Sequence, residues 1–147
     1  MTIKGLYNGV KAMDVDLVIN TAIDKSLPAL VQENKKQLYA GFDKSGEKIK
    51  RKYRNNKYAR VKFGMNPAPG LGTPDLFVTG AFFAGIDVER EGNDILRFGS
   101  TDEKGESLER KYDPFGLGGD YKKEFIGKSL RPNLNIEITK ATGLKFN

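Results

Sequence analysis

Leu76-Phe77-Val78-Thr79-Gly80-Ala81-Phe82-Phe83-Ala84-Gly85-Ile86, followed by Asp87-Val88-Glu89-Arg90-Glu91-Gly92-Asn93-Asp94-Ile95-Leu96-Arg97-Phe98, is the stretch on which the fold turns. Its first part is the densest apolar and aromatic cluster in the chain, and Phe77, Phe82 and Phe83 are expected in the core. Gly80 and Gly85 allow a turn or a close backbone approach there. The second part alternates from Ile86 to Glu91, turns at Gly92-Asn93-Asp94 and returns through Ile95 to Phe98, which predicts an antiparallel hairpin running on to Ser100.

Upstream, Asp14 is a candidate N-cap. Val15, Val18, Ile19, Ala22, Ile23, Leu27, Leu30, Val31 and Leu38 then recur at the helical period. Pro28 suits a first turn, so a kink or restart near Ser26 to Pro28 is expected. Phe77, Phe82 and Phe83 are predicted to pack against these helices. Residues 1–13, with Gly5 and Gly9, read as an arm or edge strand. Leu38 to Phe42, the turn Asp43-Lys44-Ser45-Gly46 and Glu47-Lys48-Ile49 read as a second hairpin. Its carboxylates are too few and wrongly spaced for a calcium loop. Residues 63–74, rich in Gly and Pro, read as a surface loop that is either mobile or pinned by its prolines, and they lack the Gly-Lys-Ser/Thr of a phosphate loop.

Downstream, Ser100-Thr101-Asp102 caps a short polar helix through Glu103, Leu108 and Tyr112, which ends at Pro114 to Gly119. Asp120 is a candidate cap for an amphipathic piece carrying Tyr121, Phe125 and Ile126. In the tail, the spacing of Leu134, Ile136 and Ile138 argues strand, while Pro132 ahead and Gly143 behind argue helix, and helix is the reading adopted. The expected fold is α+β: N-terminal helices packed on a small antiparallel sheet, with short C-terminal helices, in a single domain over residues 1–147 with an arm at 1–13 and a loop at 63–74.

The chain has no cysteine and no histidine. Thiol nucleophiles, disulfides and thiolate metal sites are therefore excluded, and the usual general base near neutral pH and commonest zinc ligand are missing. Carboxylate-only chemistry, with paired acids or an all-oxygen metal site, stays open. No apolar run approaches the roughly 18 to 20 residues that span a bilayer, and Met1-Thr2-Ile3-Lys4 leads into no signal-peptide core, so a soluble protein without membrane contact is expected.

The formal charge is +6, yet eight cations lie between Lys48 and Lys62 with no acid among them, which leaves the rest of the chain slightly acidic. Lys48, Lys50, Arg51, Lys52, Arg54, Lys57, Arg60 and Lys62 repel one another unless something neutralises them, and Tyr53 and Tyr58 interleave with them. The stretch is the candidate partner or DNA-binding site. Its counterpart is an acidic set of Asp87, Glu89, Glu91, Asp94, Asp102, Glu103, Glu106 and Glu109.

Several segments stand in a recognisable order: Gln37-Leu38-Tyr39-Ala40-Gly41-Phe42-Asp43 with Gly46, Tyr58-Ala59-Arg60-Val61-Lys62, Leu76 to Phe83, and Phe115-Gly116-Leu117. In this order the chain resembles a group of small structural proteins of tailed phages of gut bacteria. Its Leu-x-x-Thr-Gly element is similar to one in phage tail-completion and head-to-tail joining (neck) proteins. It departs from the group at Ala81, where a polar residue is usual, and in its heavier basic stretch. The resemblance implies a non-enzymatic virion subunit without cofactor, made in the host cytoplasm. It would assemble as a homo-oligomeric ring in contact with portal, neck or tail proteins. The basic stretch then meets an acidic protein neighbour, genome DNA or only solvent, and these three stay open. The rival classes are a nucleic-acid-binding module and a carboxylate-based hydrolase.

Overall fold

The structure is a computed structural model that describes residues 1–93 and 95–146. Asp94, expected in the hairpin turn and the acidic set, lies outside the described residues. The architecture is α+β, with N-terminal helices, a two-stranded antiparallel sheet and short C-terminal helices. The chain forms two compact units, one of Met1–Ala29 with Glu124–Asn147, the other of Leu30–Lys123.

The first unit holds α1 (Ile3–Ala12), the opening half of α2 (Val15–Tyr39), a π-helical turn at Ile126–Leu130 and α7 (Arg131–Thr142). Residues 1–13 are thus a helix, not an arm or strand. Thr2 caps it by accepting the Gly5 N–H at 3.1 Å, and Ile3, Leu6, Tyr7 and Val10 follow helical spacing. Packing of α1 on α7 accounts for Gly9, where a Cβ would stand 3.0 Å from the Thr142 carbonyl oxygen. α7 is the expected tail helix, closed by Gly143 in the left-handed region (φ 76°). The π turn precedes Pro132, whose ring would crowd the carbonyl four residues back, and a wider turn relieves that crowding.

α2 runs without a restart through Pro28, contrary to the expected break. An interior proline costs a helix about 3 kcal/mol. Here the proline faces solvent while Val18, Ala22, Leu30, Val31 and Leu38 are buried, so packing on one side holds the helix through it.

The second unit contains the rest of α2, α3 (Asn56–Met65), α4 (Ala81–Gly85), β1 (Ile86–Glu91), β2 (Ile95–Ser100), α5 (Gly105–Tyr112) and most of α6 (Gly119–Phe125). Leu38 and Tyr39 end α2 and do not open a strand, because Leu38 completes its buried stripe. The expected hairpin around them shrinks to one antiparallel bridge, Phe42 with Lys48. α2 closes in a Schellman arrangement, with the Phe42 N–H on the Gln37 carbonyl at 3.0 Å and the Gly41 N–H on that of Leu38 at 2.9 Å. In the turn that follows, Asp43 Oδ1 accepts from the Ser45 N–H, the Ser45 hydroxyl and the Glu47 N–H at 2.9, 2.5 and 3.2 Å, so this carboxylate serves its own loop.

The buried polar side of α2 fastens the Phe115-Gly116-Leu117 corner. Asn34 Nδ2 donates to the carbonyls of Pro114 and Gly116 at 2.9 and 2.8 Å. Gln37 Nε2 donates to those of Asp43 and Gly116 at 2.6 and 3.0 Å, and Gln37 Oε1 accepts the Gly118 N–H at 2.9 Å. Gly118 must be glycine, since a Cβ would fall 2.0 Å from the Ser45 carbonyl carbon.

The aromatic cluster forms a connected core. Tyr39 meets Phe77 edge-on at 5.7 Å between ring centres, Phe77 meets Phe83 at 5.2 Å, and Phe82 meets Phe83 at 6.1 Å and Phe115 at 6.0 Å. Phe115 in turn stacks on Phe98 of β2 at 6.5 Å. Phe82 and Phe83 are buried, and Phe77 reaches α2 through Tyr39. The expected hairpin forms, and its register sets Glu91 opposite Ile95 through Ile86 opposite Ser100. Ile86 and Val88 face inward, while Asp87, Glu89 and Glu91 face water, and β2 packs on α4 and α5.

Candidate functional site

The basic stretch begins extended and then becomes α3, an element charge patterning alone did not suggest. Asn55 starts the helix by accepting the Tyr58 N–H at 3.0 Å. The residues it buries are Ala59 and Lys62, with Asn66 just past its end. Because α3 extends to Met65, residues 63–65 are helical and the Gly/Pro loop starts at Asn66.

Lys62 is the main correction to the expected binding surface. It is only 6% exposed and forms an ion pair with buried Asp75 at 2.8 Å, while its ammonium also donates to the Phe77 carbonyl. Both Asp75 oxygens have further partners, Oδ1 being the one in the ion pair. Oδ1 accepts the Phe77 N–H at 3.0 Å, and Oδ2 accepts Asn66 Nδ2 at 3.0 Å, whose amide also reaches the Tyr39 carbonyl at 2.8 Å. A buried charge is tolerable only when paired and fully hydrogen-bonded, as this one is. The turn at Asp75 forces Leu76 into the left-handed region (φ 54°), a strained conformation for a branched side chain, with Leu76 buried.

Two further cations serve the fold. Lys48 Nζ donates to the carbonyls of Ala40 and Pro69 at 2.9 and 3.0 Å and lies 4.3 Å above the Phe42 ring; partial burial, then the Lys52 charge, lowers its pKa. Lys52 Nζ reaches Thr73 Oγ1 at 2.5 Å. Both tie down the Gly/Pro loop, which is also fixed by the Tyr53 N–H on the Gly72 carbonyl at 3.0 Å and by burial of Pro69 and Pro74. Lys50 pairs with Glu47 at 3.5 Å in the open.

Arg51, Arg54, Lys57 and Arg60 remain, all exposed and without an acidic partner among the described residues. Tyr58, in the same stretch of chain, meets Tyr53 edge-on at 5.0 Å. Burial raises the Tyr53 phenol well above its usual range. Both tyrosines line a groove of about 350 Å³ with Val78, Phe82, Leu108 and Tyr112, and Asp102 and Glu103 also belong to its wall. It is within the lower part of the range typical of ligand or side-chain pockets, roughly 300 to 1,000 Å³.

α3 is inside out. It hides a lysine and leaves Val61 60% and Met65 65% exposed, with Tyr58 and Phe63 also outward. Val61, Met65, Asn66 and Asp75 belong to this site as well, and a run of charge does not point to them. The signal was Asn55 as a cap, followed by Ala59, Lys62 and Asn66 at helical spacing.

The acidic set is scattered in its engagements. Glu91 pairs with Arg97 at 2.7 Å, Glu106 lies 3.6 Å from Arg110, and Asp102 Oδ1 accepts the Lys104 N–H at 2.9 Å ahead of α5. Asp87 accepts only its neighbour's N–H, that of Val88 at 2.8 Å, and Glu89 has no partner among the described residues. Among the described residues no group of three or more carboxylates is placed to hold a metal ion, and no helix is long and apolar enough to cross a membrane. Comparison with family models, with curated proteins and with solved structures finds no match.

Proposed function

We propose that this chain is a non-enzymatic assembly subunit that repeats through contacts between unlike faces and closes into a ring. In the setting that its phage resemblance implies, it stands at the neck or tail of a virion against portal, neck or tail neighbours, needs no cofactor, and is assembled in the host cytoplasm. The observation that carries the reading is the inverted helix α3, with Lys62 buried and Val61 and Met65 in water. Exposed apolar residues contiguous with unpaired cations gain nothing in an isolated molecule, and gain both burial and neutralisation against a partner. Opposite charge on the hairpin suits contacts that join one face to a different one, which generate rings when the rotation closes.

Mass photometry and sedimentation of the purified protein, alone and with neighbouring particle proteins, test this. Closed oligomers are expected, weakening as salt rises. A chain that stays monomeric at high concentration and is missing from purified particles overturns the reading.

A second reading, a nucleic-acid-binding module, is favoured by one observation: Arg51, Arg54, Lys57 and Arg60, in the same stretch as the exposed Tyr58, are without an acidic partner among the described residues. It requires duplex or single-strand binding that falls steeply with salt as counterions are released. Neutral substitutions at Arg51 and Arg54 that leave DNA affinity unchanged remove it.

A further inference from the structure

We infer that the outer face of α3 is the docking site for the β1–β2 hairpin of a second copy of this chain. The inference rests on the assembly reading above and names the two faces that meet.

On α3, Lys57 and Arg60 flank Val61, one turn apart, about 4.5 Å along the axis. On β1, Asp87 and Glu89 share the outward side, about 6.8 Å apart. Long basic side chains span that difference, so each cation can reach a carboxylate. None of these four has a competing charged partner among the described residues, whereas Glu91 of the same ribbon is already paired with Arg97. Apolar groups match as well: Ile95, opposite Glu91 in the register and so on the same side, is 57% exposed, against 60% for Val61. Two unpaired acids beside an isoleucine thus face two unpaired bases beside a valine. α3 cannot meet another α3 this way, because like charges would oppose each other, and a second hairpin offers only Arg97, which lies opposite Glu89 on that side and is already taken by Glu91. The complement that fits is the other face of the same chain.

Charge swapping tests it on the full-length protein. Lys57→Glu/Arg60→Glu and Asp87→Lys/Glu89→Lys change only exposed side chains, and circular dichroism should confirm that both proteins fold. Each alone should self-associate at least about tenfold more weakly than wild type, and their equimolar mixture should recover association, because an intact acidic hairpin then meets an intact α3. A second pair, Val61→Asp and Ile95→Asp, should stop at heterodimers when mixed, since only one contact of the chain survives. If either charge variant assembles like wild type, or the mixture is no better than its parts, these faces are not the interface, although the assembly reading stands. If the Lys57→Glu/Arg60→Glu protein still assembles but loses binding to a duplex oligonucleotide, a polyanion is the occupant and the inference is overturned. A wild type that never associates takes down both.

Discussion

Lys62 and Asp75 form an ion pair of 2.8 Å, with both side chains almost wholly removed from water, and the pair joins α3 to the turn that precedes the aromatic core. It explains why α3 lies with its apolar side outward: the lysine is the fastening, and Val61 and Met65 are left facing away. Removing one partner of such a pair leaves an uncompensated buried charge, at a cost of about 3 to 5 kcal/mol. Lys62→Met should therefore lower the unfolding free energy measured in urea by that amount. Lys62→Met with Asp75→Leu should recover much of the loss, because apolar residues of similar volume often replace a buried pair at little cost. A single variant as stable as wild type would show that the pair holds nothing.

Gly118 and Gln37 give a second stability test. An alanine at 118 would put its Cβ 2.0 Å from the Ser45 carbonyl carbon, a backbone atom that cannot swing aside. Gly118→Ala should cost more than the roughly 1 to 3 kcal/mol of ordinary overpacking and prevent folding of the second unit. Gly127→Ala is the control, with open space around it inside a helical turn, and should stabilise by about 0.5 to 1 kcal/mol. Gln37→Leu, nearly isosteric, strips three hydrogen bonds and leaves the buried Gly118 N–H unpaired, while the Gly116 and Asp43 carbonyls keep Asn34 Nδ2 and the Gly46 N–H, so the cost should be about 1 to 3 kcal/mol. Chemical denaturation of the three variants should rank them in that order of damage, Gly118→Ala first and Gly127→Ala last.

What the sequence revealed followed from how local each signal was. The β1–β2 hairpin was legible because strand alternation and a Gly-Asn turn act over a dozen neighbouring residues, and the two strands pair antiparallel. The α7 helix was legible through Pro132 and Gly143, which mark its ends. α1 was obscured by two glycines, of which Gly9 is set by the approach of α7, a partner more than a hundred residues away. Pro28 argued for a break that burial along one side of α2 overrides. At the candidate site, charge was legible but its use was not. Nothing near Lys62 in sequence announces Asp75, and nothing near Lys48 announces the carbonyls it binds. Tertiary partners buried Lys62 and tied Lys48 and Lys52, still exposed, to the backbone and the Gly/Pro loop, and left Arg51, Arg54, Lys57 and Arg60.

Glu137 provides a pH test within the first unit. It accepts hydrogen bonds from Lys25 at 2.5 Å and Lys140 at 3.0 Å, which hold its carboxyl below the ordinary value of 4.5, while the bond to Glu137 raises Lys25 above 10.5. A depressed acid contributes stability at pH above 4.5 and loses it as pH falls through the lower folded value; a raised lysine contributes below 10.5 and loses it as pH rises through the higher folded value. The melting temperature difference between wild type and Glu137→Gln should accordingly be flat across neutral pH and shrink toward both extremes. A difference independent of pH would mean that the glutamate acts through packing and not through charge.

The outward residues of α3 separate a binding surface from a merely ill-matched one. Val61 and Met65 contribute almost nothing to the isolated fold, since most of each side chain is already in water. Polar replacements such as Val61→Gln and Met65→Gln should leave unfolding free energy within about 0.5 kcal/mol of wild type, as surface changes away from packed features usually do. Association should nonetheless fall, because burying those apolar groups contributes to the contact, and side chains central to an interface carry much of its energy. The two measurements pull apart the alternatives. If denaturation reports a loss of several kcal/mol, the residues support the fold and α3 is not a free face. If stability and self-association are both unchanged, the helix presents its apolar side to water without purpose. Only unchanged stability with weakened association marks the surface as one that another copy covers.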